Sequence, residues 1–165
     1  IGSRGFPPGK EVLTTYGEGF LVQGSNLSMP ACNHEEADKR LVRHVQHALQ
    51  QGFVSCLVRT VDTDFIEILT GKFHQLQDLC PNANIWVAFG TGQKFSYINI
   101  SVIAHTLGKE RSTALPVFHS FTGCDTVSAF AGKGKKSGWS AWNCYPEVTA
   151  AFSNIANNQF TAIDI

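Results

Sequence analysis

Residues 53–64 read FVSCLVRTVDTD, and the reading of this stretch decides the fold. Phe53 to Val61 are largely apolar and rich in β-branched side chains, which predicts a strand. Polar alternation is weak, so the expected strand is buried on both faces, as strands of parallel sheets are. Asp62 and Asp64 follow immediately. That puts two carboxylates at the carboxyl end of the strand, where open parallel α/β sheets bind their ligands. In extended chain, an i, i+2 pair also directs both side chains to one side.

Upstream, residues 35–50 predict a helix. Ala37, Leu41, Val45, Ala48 and Leu49 recur at helical spacing, Asn33 is a candidate cap, and Gly52 ends the run. Before it, Val12 to Tyr16 and Phe20 to Val22 flank Gly17-Glu18-Gly19 and predict a hairpin. Downstream, a short helix is expected over 72–79, then a strand over 84–89 (NIWVAF) and a turn at Gly90-Thr91-Gly92. Helices are expected over 99–107, 113–121, 126–131, 136–143 and 147–157. Strand–helix alternation followed by helices implies an α/β architecture with a mostly parallel sheet and a helical appendage.

Hydrophobic residues make up 43% and charged residues 16% of the 165, a globular rather than a disordered balance. Lys plus Arg equals Asp plus Glu at 13 each, so any attraction to nucleic acid must come from local clustering. Five cysteines, an odd number without CxxC spacing, point to a reducing, intracellular compartment. No apolar run reaches membrane-spanning length. The chain opens at Ile1 and holds one methionine, Met29, which reads as an excerpt of a longer protein.

The acids fall in three groups: Glu35-Glu36-Ala37-Asp38, Asp62-Thr63-Asp64, and Gly123-Cys124-Asp125. Each has an ordinary structural use. Acids favour a helix N-terminus, aspartates favour turns, and Asp125 would serve as a cap. Gathered on one rim, they would instead repel one another unless a cation neutralised them. All-oxygen clusters suit Mg2+ or Mn2+. Ala129 to Lys136 (AFAGKGKK) adds glycines that allow close backbone approach, a helix start, and three lysines suited to phosphate. A solvated lysine-rich turn is the plainer account of it.

In order, the chain reads His34-Glu35-Glu36-Ala37-Asp38, Val61-Asp62-Thr63-Asp64, Thr122-Gly123-Cys124-Asp125, and Gly132-Lys133-Gly134-Lys135-Lys136. This series resembles the flap-endonuclease-like PIN nucleases, and in particular uncharacterised animal PIN-like proteins with HEEAD, DTD and TGCDT segments. The resemblance covers about residues 33–143. It implies a three-layer α/β/α domain, with a helix–turn–helix element over 126–143. It implies that Glu36, Asp38, Asp62, Asp64 and Asp125 are metal-binding and catalytic, with Mg2+ or Mn2+ as cofactor. Gly132, Lys133, Gly134, Lys135 and Lys136 would grip the backbone of nucleic acid, with flapped or branched DNA favoured over RNA, and residence in the nucleus. The family's first strand carries an early aspartate, with another before the helical arch. Nothing before Asn33 matches these, and they are expected upstream of Ile1. Their absence from this stretch favours a rival, a catalytically inactive scaffold or nucleic-acid-binding module.

Six histidines show neither HExxH nor zinc-finger spacing. Trp86, Trp139 and Trp142 are expected to pack within the fold rather than stack on bases.

Overall fold

The computed structural model describes residues 12–16, 19–23, 37–123 and 134–161. The chain divides into two compact units, residues 1–43 and 44–165. In the first unit, β1 (Val12–Tyr16) pairs antiparallel with β2 (Gly19–Gln23), with Val12 opposite Gln23 and Tyr16 opposite Gly19. This is the predicted hairpin. Helix α1 (Ala37–Gln50) matches the predicted 35–50, and the division falls within it.

In the second unit, β3 (Ser55–Thr60) runs parallel to β4 (Asn84–Phe89) through helix α2 (Thr63–Leu79). A strand β5 (Ser96–Asn99) returns antiparallel on the other side of β4, giving the order β3-β4-β5. Among the described residues this sheet is therefore mixed rather than mostly parallel. Then come α3 (Ile100–Leu107), α4 (Lys109–Phe121), α5 (Lys135–Cys144) and α6 (Val148–Thr161). The expected helix over 126–131, and with it the first half of the helix–turn–helix, lies outside the described residues. The structure bears out the α/β class; the described residues do not by themselves show three layers.

Strand β3 departs from its expected burial. It is an edge strand in the sheet, and its side chains alternate, with Val58 buried and Leu57 62% exposed. Phe53, Val54 and Val61 at its ends are also exposed. Strand β4 shows why. Ile85 and Val87 are fully buried on one face, whereas Trp86 on the other is half-buried. Leu57 and Trp86, register partners, line a shallow groove of about 320 Å³ with Tyr97 on that more open face.

Helix α2 starts nine residues before its predicted start. Asp62 caps it, its Oδ1 accepting from the Asp64 N–H at 2.9 Å. Phe65, Leu69 and Phe73 then recur on one face and are fully buried. Thr70 and Gly71 are buried, and Gly71 lies where α4 crosses. A Cβ at Gly71 would lie 2.6 Å from Pro116 Cγ, so only glycine permits this approach. Helix α3 is tied to β4 by Ser101, whose hydroxyl accepts from Ile85 N–H at 2.9 Å.

A second apolar cluster joins α4, α5 and α6 through Ala114, Phe118, Trp142 and Phe152. Phe118 stacks on Trp142 at 4.8 Å between centroids, and the indole N–H of Trp142 donates to Thr149 Oγ1 at 2.8 Å. Trp139 packs against this cluster, so the expectation of a packing role holds for both Trp139 and Trp142. No helix among the described residues is long and apolar enough to cross a membrane.

Candidate functional site

The site begins with β3. Its carboxyl end leads through Val61 directly into the first turn of α2, so Asp62 is the cap and Asp64 lies one residue inside the helix. The two acids are not an extended pair pointing the same way, as the sequence suggested. Asp62 is exposed and turned to its own backbone, while Asp64 is half-buried and directed at α4.

Contacts between α2 and α4 run in opposite senses along the two helices. Gly71 meets Pro116 and Ser112, while Asp64 and Glu67 meet His119. The helices are thus antiparallel, and the start of α2 lies against the end of α4. His119 Nε2 stands 3.0 Å from Asp64 Oδ1, and its Nδ1 faces Glu67 Oε2. The His119 side chain is only 7% exposed. Lys135, in the first turn of α5, completes the group, with Nζ 2.7 Å from Nδ1 of His119 and 3.3 Å from Nε2.

The charges at two of these helix ends suit the helix dipole. An acid in the first turn of α2 and a histidine in the last turn of α4 are both favoured. Helix α5 is the reverse, because Lys135 and Lys136 open it and no acid lies in its first turn. The carboxylates of Asp64 and Glu67 offset that unfavourable placement for Lys135. Burial pushes the Glu67 carboxyl above its usual range, and the charge of Asp64 adds to the rise. His119 and Lys135 pull it partly back. Glu67 Oε2 is buried against the His119 imidazole.

Glu67 and His119 were not singled out by their sequence context. The only trace of them is position. Glu67 lies three residues after Asp64, on the same helix face, and His119 lies one turn before Gly123. Thr122 and Gly123 end α4, Gly123 with φ of 100°, a conformation that favours glycine.

Of the predicted site residues, Asp62, Asp64, Gly134, Lys135 and Lys136 lie in this unit, and the structure brings Asp64 and Lys135 into one cluster. Asp38 lies in the first turn of α1, in the other unit. Glu36, Asp125, Gly132 and Lys133 lie outside the described residues. Lys135 turns to His119, and Lys136 is exposed beside it.

No family model, no curated protein and no solved structure matches this chain.

The oxygens of Asp62 and Asp64 are the hard donors that Mg2+ and Mn2+ take, and the buried Glu67 Oε2, paired with His119, is a third of the same type. In that sense the donor chemistry fits a divalent cation. Among the described residues, however, no three His, Cys, Asp or Glu side chains are arranged to hold one. The geometry gives a reason. His119 spends its two ring nitrogens on two different acids rather than converging with them on one point.

Proposed function

We propose that this chain is a divalent-metal-dependent nuclease that hydrolyses phosphodiester bonds in structured nucleic acid, with flapped or branched DNA as substrate class. One observation carries the reading. Three segments far apart in sequence, at Asp64, at His119 and at Lys135, meet beside the carboxyl end of β3. That is the edge of a parallel α/β unit where ligands are commonly bound.

Asp62 and Asp64 would hold the cation, with Glu36, Asp38 and Asp125 added by the sequence motifs alone. When bound, a cation there supplies an activated water and stabilises the leaving oxygen. The chain's own side chains do the rest. Asp64 is kept in place by the packed end of α4. Lys136 presents an exposed charge in the first turn of α5, where no side chain caps the helix and its N–H groups suit an anion. Such contacts grip a sugar-phosphate backbone without reading bases.

A second reading, an inert PIN-like scaffold or nucleic-acid-binding module, is favoured by a specific observation. His119 and Lys135 already offset much of the acidic charge at Asp64 and Glu67. Cleavage of flap and hairpin substrates with Mg2+ or Mn2+ separates the two. Asp62→Ala and Asp64→Ala should each lower the rate by at least about 10–100-fold, the scale found for residues that merely support a metal ligand. Equal rates in wild type and both variants would exclude the nuclease reading.

A further inference from the structure

We propose that β3 is the seam of a homodimer, in which the edge of one sheet pairs antiparallel with the same edge of a second copy. The backbone of β3 has one open side. Asn84 N–H donates to the Val54 carbonyl at 2.8 Å and Gly90 N–H to the Thr60 carbonyl at 3.3 Å, so the even-numbered residues of this stretch face β4. Ser55, Leu57 and Arg59 alternate with them and direct their N–H and C=O groups away from β4. Among the described residues, no strand pairs with that side. Such a row of donors and acceptors is a template for another strand.

Proteins commonly guard an edge with a charge or a proline. Residues 53–61 hold no proline, and their one charge, Arg59, is turned back over its own sheet. Its guanidinium donates to the carbonyls of Ala88 at 2.9 Å and Gly90 at 2.5 Å and lies over the Phe95 ring. What the edge presents instead is apolar. Phe53, Leu57 and Val61 are 58%, 62% and 66% exposed. Their spacing selects the partner, because Phe53 and Val61 stand at equal distances along the chain on either side of Leu57. With Leu57 opposite Leu57 of the second copy, Phe53 falls opposite its Val61 and Val61 opposite its Phe53. Opposed residues share a face, and Leu57, with its backbone groups outward, forms the hydrogen-bonded pair on the two-fold axis. Ser55 then meets Arg59 of the second copy, so the two guanidinium groups do not oppose each other. Moving the axis to Val58 would set Leu57 against Arg59 and Val61 against Ser55, and the apolar match would be lost. A second copy meets the pattern by symmetry. The formal net charge is zero, so two copies approach without net repulsion.

Sedimentation velocity of the whole chain from about 1 to 500 µM should show a reversible monomer–dimer shift, the range suited to a small interface. Leu57→Lys, at an exposed position, sets two like charges on the axis and should weaken association at least about 10-fold. Amide hydrogen exchange locates the seam. The amides of Ser55, Leu57 and Arg59 should slow as concentration rises, whereas those of Cys56 and Val58, which face β4, should be protected at every concentration. A monomer throughout the range overturns the proposal, and slow exchange at Leu57 in that monomer would mean that another strand of the same protein covers the edge. A dimer whose Leu57 amide exchanges equally fast at all concentrations uses another surface and overturns it too, as does a Leu57→Lys dimer as tight as wild type. Should Leu57→Lys not fold, the concentration dependence of exchange in the wild type decides.

Discussion

Gly71→Ala should destabilise the second unit, although alanine is the better helix former. Replacing an interior helical glycine by alanine ordinarily gains about 1 kcal/mol. Here the added Cβ would lie 2.6 Å from Pro116 Cγ, 2.8 Å from Pro116 Cδ and 3.3 Å from the Ser112 carbonyl oxygen. The proline ring cannot rotate out of the way, so α2 and α4 must separate. Overpacking of that kind costs about 1–3 kcal/mol, and so rigid an obstacle belongs at the upper end. After the gain in propensity, the net loss is about 1–2 kcal/mol, or roughly 3–6 °C in Tm for a chain of this size. Urea unfolding followed by circular dichroism measures it. The clash has one named partner, so a double-mutant cycle with Pro116→Ala should recover about 1 kcal/mol or more as interaction energy. A Gly71→Ala protein as stable as wild type, or a cycle with no coupling, would refute the helix pairing. That pairing also sets the cluster. Glu67 and Asp64 lie one and two turns before Gly71 on α2, and His119 lies one turn after Pro116 on α4.

Asp62 has a structural task that must be separated from any chemical one. Asp62→Ala removes the cap of α2 and should cost about 1 kcal/mol, whereas Asp62→Asn keeps an accepting oxygen and should cost only a few tenths in urea unfolding. Loss of cleavage in Asp62→Asn would then report charge rather than folding, and an equal loss of stability in both variants would contradict the cap. Glu67 should give stability a pH dependence. Its folded pKa is raised above 4.5 by burial, so the folded state binds the proton more tightly than the unfolded chain. Its contribution is fully present below about pH 4.5 and lost as pH climbs through the raised folded value. Glu67→Gln removes the cost of ionisation and should gain on wild type as pH rises above about 4.5 in parallel unfolding curves. A difference that does not change with pH would mean that burial does not raise the Glu67 carboxyl above its ordinary range.

The elements legible in sequence are those whose hydrophobic period is unbroken. Strand β4, helix α1 and the hairpin of β1 and β2 match their predicted spans to within two residues. Strand β5 is not legible because Ser96-Tyr97-Ile98-Asn99 is short and half polar, and its partner supplies the pairing that its own pattern does not announce. Helix α2 reads as shorter than it is for the opposite reason. Thr70 and Gly71 are poor helix formers locally, but a close tertiary contact requires the small residue there. Strand β3 is less buried than its sequence implies because an apolar run records what a strand could bury, not what lies beside it. Position at the sheet edge leaves Leu57 62% exposed.

The site divides along the same line. Asp62 and Asp64 stand out because two acids interrupt an apolar strand end. Glu67, His119 and Lys135 are unremarkable residues in sequence, and only the antiparallel pairing of α2 with α4 makes them neighbours. Helix energetics then separates what is explained from what is not. Asp64 and His119 sit where the helix dipole favours them. Lys135 and Lys136 sit where it does not, since a helix start prefers acids. The acidic pair of α2 compensates Lys135. Exposed at the same helix start, Lys136 gains nothing from the dipole, and in the proposed function a phosphate of the nucleic acid would be its partner. On this argument Lys136→Ala should weaken binding of DNA and reduce its salt dependence by about one counterion, as loss of a single phosphate contact does. The variant should leave Mn2+ binding unchanged. An unaltered salt slope would show that this lysine is surface charge and nothing more.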